Sequence, residues 1–291
     1  MIPTLLGKGL SILSQFLHFA IYRLEEPKMR LEKAMFIISV DVDVGNKELA
    51  LINQGKNDTN VHDFLSEFSV GGIEEQALPL FVNFFNNLEI PVTFAIRGQL
   101  AEVDGSILDL LMESHIEHDI GSHGYFHRPF PNLSSSEAEK ELYLTSIGMR
   151  KFGIIPRSFV FPKNQAAHLG LLEKYGYKCY RGSSNFLNDD MYVEKHGKLY
   201  NIHPSFYLGQ SVNQIFLKEI VDISVKSRLP FHVWFHLWNF GKTKESIRRN
   251  ISKVFYPLLR YAKKKEKTGM VTFETMLSIT KKLAGERTRG I

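Results

Sequence analysis

The sequence is poor in cysteine: one thiol, Cys179, stands among 291 residues. A single thiol excludes an intrachain disulfide and any zinc or iron–sulfur site built from several cysteines. A bound metal would have to rest on histidine and carboxylate, and 11 histidines are available. Long apolar runs are missing as well. The most apolar early stretch, residues 10–24, is interrupted by Gln15, His18 and Arg23, and is too short for a membrane span of about 20 residues. No small-x-small cleavage site follows it, since Glu25, Glu26, Pro27 and Lys28 come next, so neither a signal peptide nor a transmembrane helix is expected. An amphipathic helix packed on the domain is the first expectation there. An interfacial helix with Lys8 and Arg23 at lipid headgroups is the second. Charge of one sign is also scarce: 36 Lys and Arg against 31 Asp and Glu leave +5, far from the density of a dedicated nucleic-acid binder. The expectation is a cytoplasmic chain without a nucleic-acid partner, its peripheral membrane contact limited to the amino-terminal helix. Repeats, low-complexity tracts and Pro/Gly/Ser linkers are absent, while length alone permits one barrel of about 250 residues or two domains.

What is present is a steady alternation of strand and helix patterns. Residues 35–40 (MFIISV) form a short β-branched run, as expected of a buried strand, and end at Asp41 and Asp43. Residues 71–87 predict a helix with Leu78, Phe81, Phe84 and Phe85 on one face. Further strands are expected at 91–96, 118–123, 158–161, 178–180 and 231–237, and helices at 108–112, 134–152, 169–175 and 247–265. The helix at 134 opens with a Ser-x-x-Glu capping box, Ser134 with Glu137. The stretch 247–265 reads as one long basic helix, and residues 260–267 as its solvated end. Gly197 and Pro204 suggest a loop or hairpin within 188–214, over the mouth of the fold. Such alternation implies a parallel sheet, open or closed into a barrel. Polar residues gather just after the strands: Asp41 and Asp43, Arg97, His123 and His127, Lys163 and Asn164, Arg181, His236. In parallel α/β folds those strand ends form one mouth, where active sites are built.

His123 and His127 stand four residues apart, a spacing that lets both imidazoles reach one ion. Alone, that pair is a weak signal. Asp41 and Asp43 strengthen it, because residues i and i+2 of a strand point the same way, and two carboxylates ending an apolar strand are costly unless a cation meets them. A capping role explains one aspartate more easily than two. Two imidazoles and a carboxylate with open positions suit a divalent metal: zinc first, then cobalt, nickel or iron. Such an ion polarises a carbonyl and brings the pKa of bound water towards about 7. The remaining aspartate could act as general base. His236 is the best-placed imidazole to protonate a leaving nitrogen, with His232 on the same strand face as its rival. Trp234 and Trp238 suit sugar stacking or core packing. Asn239 suits a ligand hydrogen bond or a strand end, and His196 and His203 have no assigned role.

Taken in order, these segments resemble the NodB-homology polysaccharide deacetylases, carbohydrate esterase family 4. Residues 39–45 (SVDVDVG) resemble the first motif, 91–98 (PVTFAIRG) the second strand, and 118–127 (HDIGSHGYFH) the metal-binding segment; residues 134–162 and 172–177 follow the helices and strand leading to the third and fourth motifs, and His236 resembles the catalytic acid. The likeness spans 35 to about 185 and resumes at 231–240. It implies a distorted (β/α) barrel of seven or eight mainly parallel strands, and metal-dependent removal of N- or O-acetyl groups from sugars. It further implies Asp41 as base, Asp43, His123 and His127 as metal ligands, and His236 as acid. Three departures stand out. Val42 separates the usually adjacent carboxylates, so the reverse assignment of Asp41 and Asp43 stays open. Val160 occupies the place of the third motif's arginine, and the fourth motif's carboxylates are not evident in residues 180–185 (YRGSSN). Either Arg181 or Lys163 is expected to supply the missing positive charge at the base; the alternative for Arg181 is a surface ion pair. The domain reading is an appendage at 1–33, a deacetylase-like barrel at 34–280 and a basic tail at 281–291. Expected partners are acetylated carbohydrates or N-acyl small molecules. Two other functions compete: a cyclic-amide or small N-acyl hydrolase using the same site, and a non-catalytic metal- or glycan-binding protein.

Overall fold

Strand β1 (Ala34–Val42) is buried along all nine residues, and the two-residue period of a strand divides it between two environments. Even-numbered Phe36, Ile38, Val40 and Val42 join the large apolar cluster under the helices. Odd-numbered Met35 and Ile37 join a smaller cluster with Ala95, Val160, Cys179 and Ile202 inside the curl of the sheet. Ser39, Asp41 and Asp43 continue that odd register, so alternation alone carries two carboxylates into the interior. The computed structural model describes residues 30–43, 74–103, 105–183, 191–208, 214–241 and 243–285. The helix expected at 10–24 and the end of the basic tail lie outside the described residues.

The remaining strands are β2 (Thr93–Ile96), β3 (Asp119–Ser122), β4 (Ser158–Gln165), β5 (Cys179–Ser183), β6 (Val193–His196), β7 (Leu199–Ile202), β8 (Phe206–Tyr207), β9 (Pro230–His236) and β10 (Val271–Glu274). They form one sheet in the order β6-β7-β5-β4-β3-β2-β1-β9-β8, with β10 paired to the start of β1. Every ladder is parallel except the β6–β7 hairpin. Among the described residues no ladder joins β8 to β6, so the sheet curls into a distorted barrel with an open seam. Among the described residues ten strands are present, against an expected seven or eight. The surplus comes from β6, β8 and β10, short pieces that patch the rim.

Helix Glu74–Asn87 packs as its periodicity predicts, with Leu78, Phe81 and Phe85 fully buried. Phe81 meets Phe235 and Phe240 at 5.0 and 5.2 Å between ring centroids. Helix Ser135–Arg150 carries the expected capping box: Glu137 N donates to Ser134 Oγ at 3.3 Å, and Ser134 N donates to the Glu137 carboxylate at 2.9 Å. The helix expected over 247–265 is present and runs without a gap from Lys244–Asn250 through a π-helical turn, Ile251–Phe255, into Tyr256–Lys267. Pro257 is the cause of that turn. It has no N–H for the i−4 carbonyl, and its ring crowds that carbonyl, so the wider turn absorbs the misfit. Helix Met276–Leu283 buries Met276 and Ile279 in the inner cluster, which carries the barrel body past residue 280. No helix among the described residues is long and apolar enough to cross a membrane.

The end of the barrel opposite the expected mouth is closed by hydrogen bonds around Asp119. Its carboxylate accepts from Thr93 Oγ1 at 2.9 Å, from Ser158 Oγ at 2.7 Å and from the backbone N–H of Leu277 at 3.3 Å. Thr93 Oγ1 in turn accepts from Met276 N at 2.8 Å. Burial pushes the Asp119 pKa up, against these donors. This end fixes the strands; Asp41, Asp43, His123, His127 and His236 lie at the other.

Candidate metal centre and active site

Chain direction in a parallel sheet puts the ends of β1, β3, β4, β5 and β9 on one rim. Asp43, His123 and His127 meet there with ligating atoms within 4.8 Å of one another, all three residues buried. His123 Nδ1 lies 2.8 Å from the Val160 carbonyl. A carbonyl only accepts, so Nδ1 carries the proton and Nε2 is bare; Nε2 is buried with no hydrogen-bond partner. His127 Nε2 lies 3.1 Å from Asp43 Oδ2, close to the spacing of about 3.3 Å for two donors sharing an ion at bonds of about 2.0–2.1 Å. Burial pushes the His123 pKa down to about 3 and that of His127 well below its ordinary value. Both rings are therefore neutral at ordinary pH, as ligands must be. A bare buried imidazole nitrogen, a second imidazole and a carboxylate form a donor set that fits a divalent transition metal.

The loop carrying the two histidines is held from behind. Gly124 adopts φ +72°, and a Cβ there would stand 3.2 Å from Glu141 Oε2. That carboxylate oxygen accepts the backbone N–H groups of Tyr125 and Phe126, each at 2.7 Å, while Oε1 takes Arg128 Nε at 2.8 Å. His127 itself is left-handed, φ 60°, a conformation costing of order 1 kcal/mol or more for a residue with a Cβ, and one that clusters at functional sites. Arg97, which no local spacing marks, is fully buried and donates from Nη1 to Asp43 Oδ1 at 3.1 Å. Gln99 Oε1 accepts from Arg97 Nη2, and the Tyr125 carbonyl from its Nε at 3.4 Å.

Asp41 occupies the centre. Its Oδ2 accepts from Arg181 Nη2 at 2.5 Å and lies 3.6 Å from His236 Nε2 and 3.9 Å from His123 Nε2. Its Oδ1 is buried with no partner. Burial pushes the Asp41 pKa up, but the Arg181 guanidinium, by its charge and its hydrogen bond, more than offsets it and leaves the group at about 2. Arg181 is 1 % exposed, so its partner is this interior carboxylate and not a surface one. Among the described residues it is the cation in hydrogen-bond contact with Asp41. Lys163 stands exposed on the rim, its charge felt at His127, with Lys163 and Asn164 both left-handed where β4 loses register. Val160 lies in the apolar interior.

His236 closes the mouth, half-buried, stacked on Trp238 at 4.1 Å between centroids. Burial lowers its pKa, and the carboxylate of Asp41 opposes that shift. His232 is fully buried, lower in the interior, with Nε2 at 2.8 Å from Ser39 Oγ and Nδ1 at 3.2 Å from the Ile202 carbonyl. Trp234 lies under Arg181, the guanidinium carbon 4.5 Å from its ring centroid, and against Tyr207 at 4.6 Å. Asn239 ends the strand by accepting the His236 N–H at 2.8 Å. His196 and His203 flank Glu194 on the β6–β7 hairpin, at 3.0 and 3.4 Å, away from this centre.

Comparison with known proteins bears on part of the sequence and on the fold. The family model described as polysaccharide deacetylase matches residues 56–180. No curated protein matches the sequence. Among solved structures, a Mycobacterium smegmatis protein provisionally described as a polysaccharide deacetylase is 14% identical, covers 92% of this chain and 98% of its own, and superposes with a TM-score of 0.65. PuuE allantoinase, also 14% identical, covers 88% of this chain and 93% of its own at a TM-score of 0.60. At such identity these likenesses concern the fold. The polysaccharide deacetylase pattern thus covers residues 56–180, and the barrel is the fold shared with these two structures.

Proposed function

We propose that this protein is a metal-dependent hydrolase that removes an acetyl or other acyl group from the nitrogen of an amino sugar or glycoconjugate. The observation that carries the reading is the position of Asp41, within 4 Å of both His123 on the metal-binding side and His236 on the mouth side. Asp43, His123 and His127 would hold the ion. Once bound, a divalent ion, zinc by the nitrogen and oxygen character of its donors, would polarise the acyl carbonyl and acidify the attacking water. Asp41 Oδ1, the oxygen without a protein partner, takes the proton of that water. Arg181 keeps the carboxylate ionised beforehand and fixes its plane through Oδ2. His236 Nε2 faces Asp41, so the proton collected there can pass to the imidazole and on to the leaving nitrogen as the carbon–nitrogen bond breaks. The neutral resting state of His236 is thereby compatible with its role as acid. Trp238 and Tyr207 give the mouth an aromatic rim suited to a sugar face.

Acetate release, measured with and without zinc, tests the reading on acetylated monosaccharides, oligomers, polymers, and nucleotide- and lipid-linked sugars, alongside N-acyl small molecules and a cyclic ureide. Zinc-dependent release from a sugar is the expected result. Ring opening of the ureide alone would overturn the sugar class, and zinc binding without turnover on any compound would leave a metal- or glycan-binding protein.

A further inference from the structure

Two buried polar residues behind Asp41 take no part in the chemistry above. Ser39 and His232 are both 0 % exposed, in a barrel interior otherwise filled by Met35, Ile37, Ala95, Val160 and Ile202. Arg181 donates from Nη1 to Ser39 Oγ at 2.7 Å, and Ser39 Oγ lies 2.8 Å from His232 Nε2. The other ring nitrogen of His232 meets the Ile202 carbonyl. Both ends of this chain are one-way. A guanidinium can only donate, so Ser39 Oγ accepts from Arg181 and must send its own hydrogen elsewhere. A carbonyl can only accept, so His232 Nδ1 carries the ring proton and Nε2 is the acceptor for Ser39. The run is therefore Asp41 ← Arg181 → Ser39 → His232 → Ile202, with every proton assigned. A protonated His232 would aim a second donor at Ser39 beside the charge of Arg181, and the ring is held neutral: burial, and then Arg181, bring its pKa to about 3.

Arg181 is gripped on its remaining sides as well, through Nε to Asn164 Oδ1 at 3.0 Å and over the face of Trp234. Of these anchors, the Ser39–His232 pair is the one that shares the face of β1 with Asp41, Ser39 taking Nη1 while Asp41 takes Nη2. We propose that Ser39 and His232 are positioning residues: their hydrogen-bond chain fixes the guanidinium so that it occupies Oδ2 of Asp41 and leaves Oδ1 open to water. This proposal rests on the reading of Asp41 as the base. An interior made wholly apolar would fill the same space with Val or Leu and leave Nη1 of a buried cation without an acceptor, at a cost of at least about 1–3 kcal/mol.

The test uses the full-length protein with Ser39→Ala, Ser39→Thr and His232→Gln, the last two keeping a hydroxyl or an acceptor in place. Nitrogen-15 spectra of the wild type should show His232 protonated on Nδ1 and bare on Nε2 from pH 5 to 8. Exchange of the Arg181 Nε proton with solvent should accelerate about tenfold or more in Ser39→Ala and return to the wild-type rate in Ser39→Thr. On the substrate that releases acetate, Ser39→Ala should lower kcat about tenfold or more with KM and zinc content within about twofold, again restored by threonine. The opposite His232 tautomer, or unchanged Arg181 exchange in Ser39→Ala, overturns the proposal. So does a kcat loss in Ser39→Ala that threonine fails to restore. The spectroscopic arm decides even if no acylated compound is turned over, so failure of the positioning chain and failure of the hydrolase reading are told apart.

Discussion

Val160 and Arg181 are register partners across the β4–β5 ladder. The apolar member of the pair faces the inner cluster, and the cationic member crosses the interior to Asp41 at 2.5 Å. A positive charge absent from one strand is thus delivered at the same level from the next.

Replacing Arg181 by Met should lower turnover about 10²-fold or more while zinc content, read by atomic absorption, stays at the wild-type level, since Arg181 touches none of Asp43, His123 or His127. Arg181→Lys should fall nearly as far. One ammonium cannot reproduce a planar fork that meets Asp41, Ser39 and Asn164 in fixed directions.

The two aspartates should separate cleanly. Asp41→Asn is expected to bind zinc as the wild type does and to lose about 10²–10⁴ in kcat, the range for removing a general base. Asp43→Asn and His123→Ala should lose the metal itself. Paired zinc titrations and acetate-release assays check this, and a reversed pattern would exchange the roles of Asp41 and Asp43.

Glu141 supports the metal-binding loop without touching the centre. Glu141→Ala strands two backbone N–H groups and Arg128, and should destabilise the fold by about 2–4 kcal/mol in denaturant titration. Zinc affinity should weaken about tenfold or more as the loop loosens.

Acid should destabilise the metal-free protein well before its carboxylates titrate. His232 titrates near its ordinary value of 6.5 when unfolded but at about 3 when folded. Between those limits the unfolded chain holds the extra proton, so stability falls as pH drops, by about 1.4 kcal/mol per pH unit for this residue alone. Asp41 adds a second loss only below its ordinary 3.8, as the pH falls towards about 2. Urea unfolding at pH 7, 6 and 5 should show the steep wild-type slope, and His232→Gln should reduce it by one proton. Equal slopes in the two proteins would contradict a neutral buried His232.

Local signals were readable in advance. The apolar run of β1 with its two odd-numbered aspartates, the histidine pair and the capping box at Ser134 each depend on neighbours a few residues away. Other features depend on distant partners. Arg97 finds Asp43 across 54 positions, Arg181 finds Ser39 across 142, and Ser39 finds His232 across 193. No spacing rule reports such pairs. Strands β6, β7 and β8 are four, four and two residues long, too short for a two-residue period to show. The helix over 247–265 follows its apolar periodicity, while the π-helical turn at Ile251–Phe255 answers to Pro257, whose effect on the i−4 carbonyl periodicity does not report.

The hydrogen-bond knot around Asp119 gives the barrel two ends of unequal freedom. At that end each oxygen of Asp119, Thr93 and Ser158 is spoken for, and a substitution there is felt by three strands and the closing helix together. At the other end, Asp41 Oδ1 and His123 Nε2 keep unspent valence. Substitutions on the rim around Tyr207, Trp238 and Lys163 therefore leave untouched the base plate that holds the strands carrying Asp41 and His123 in register.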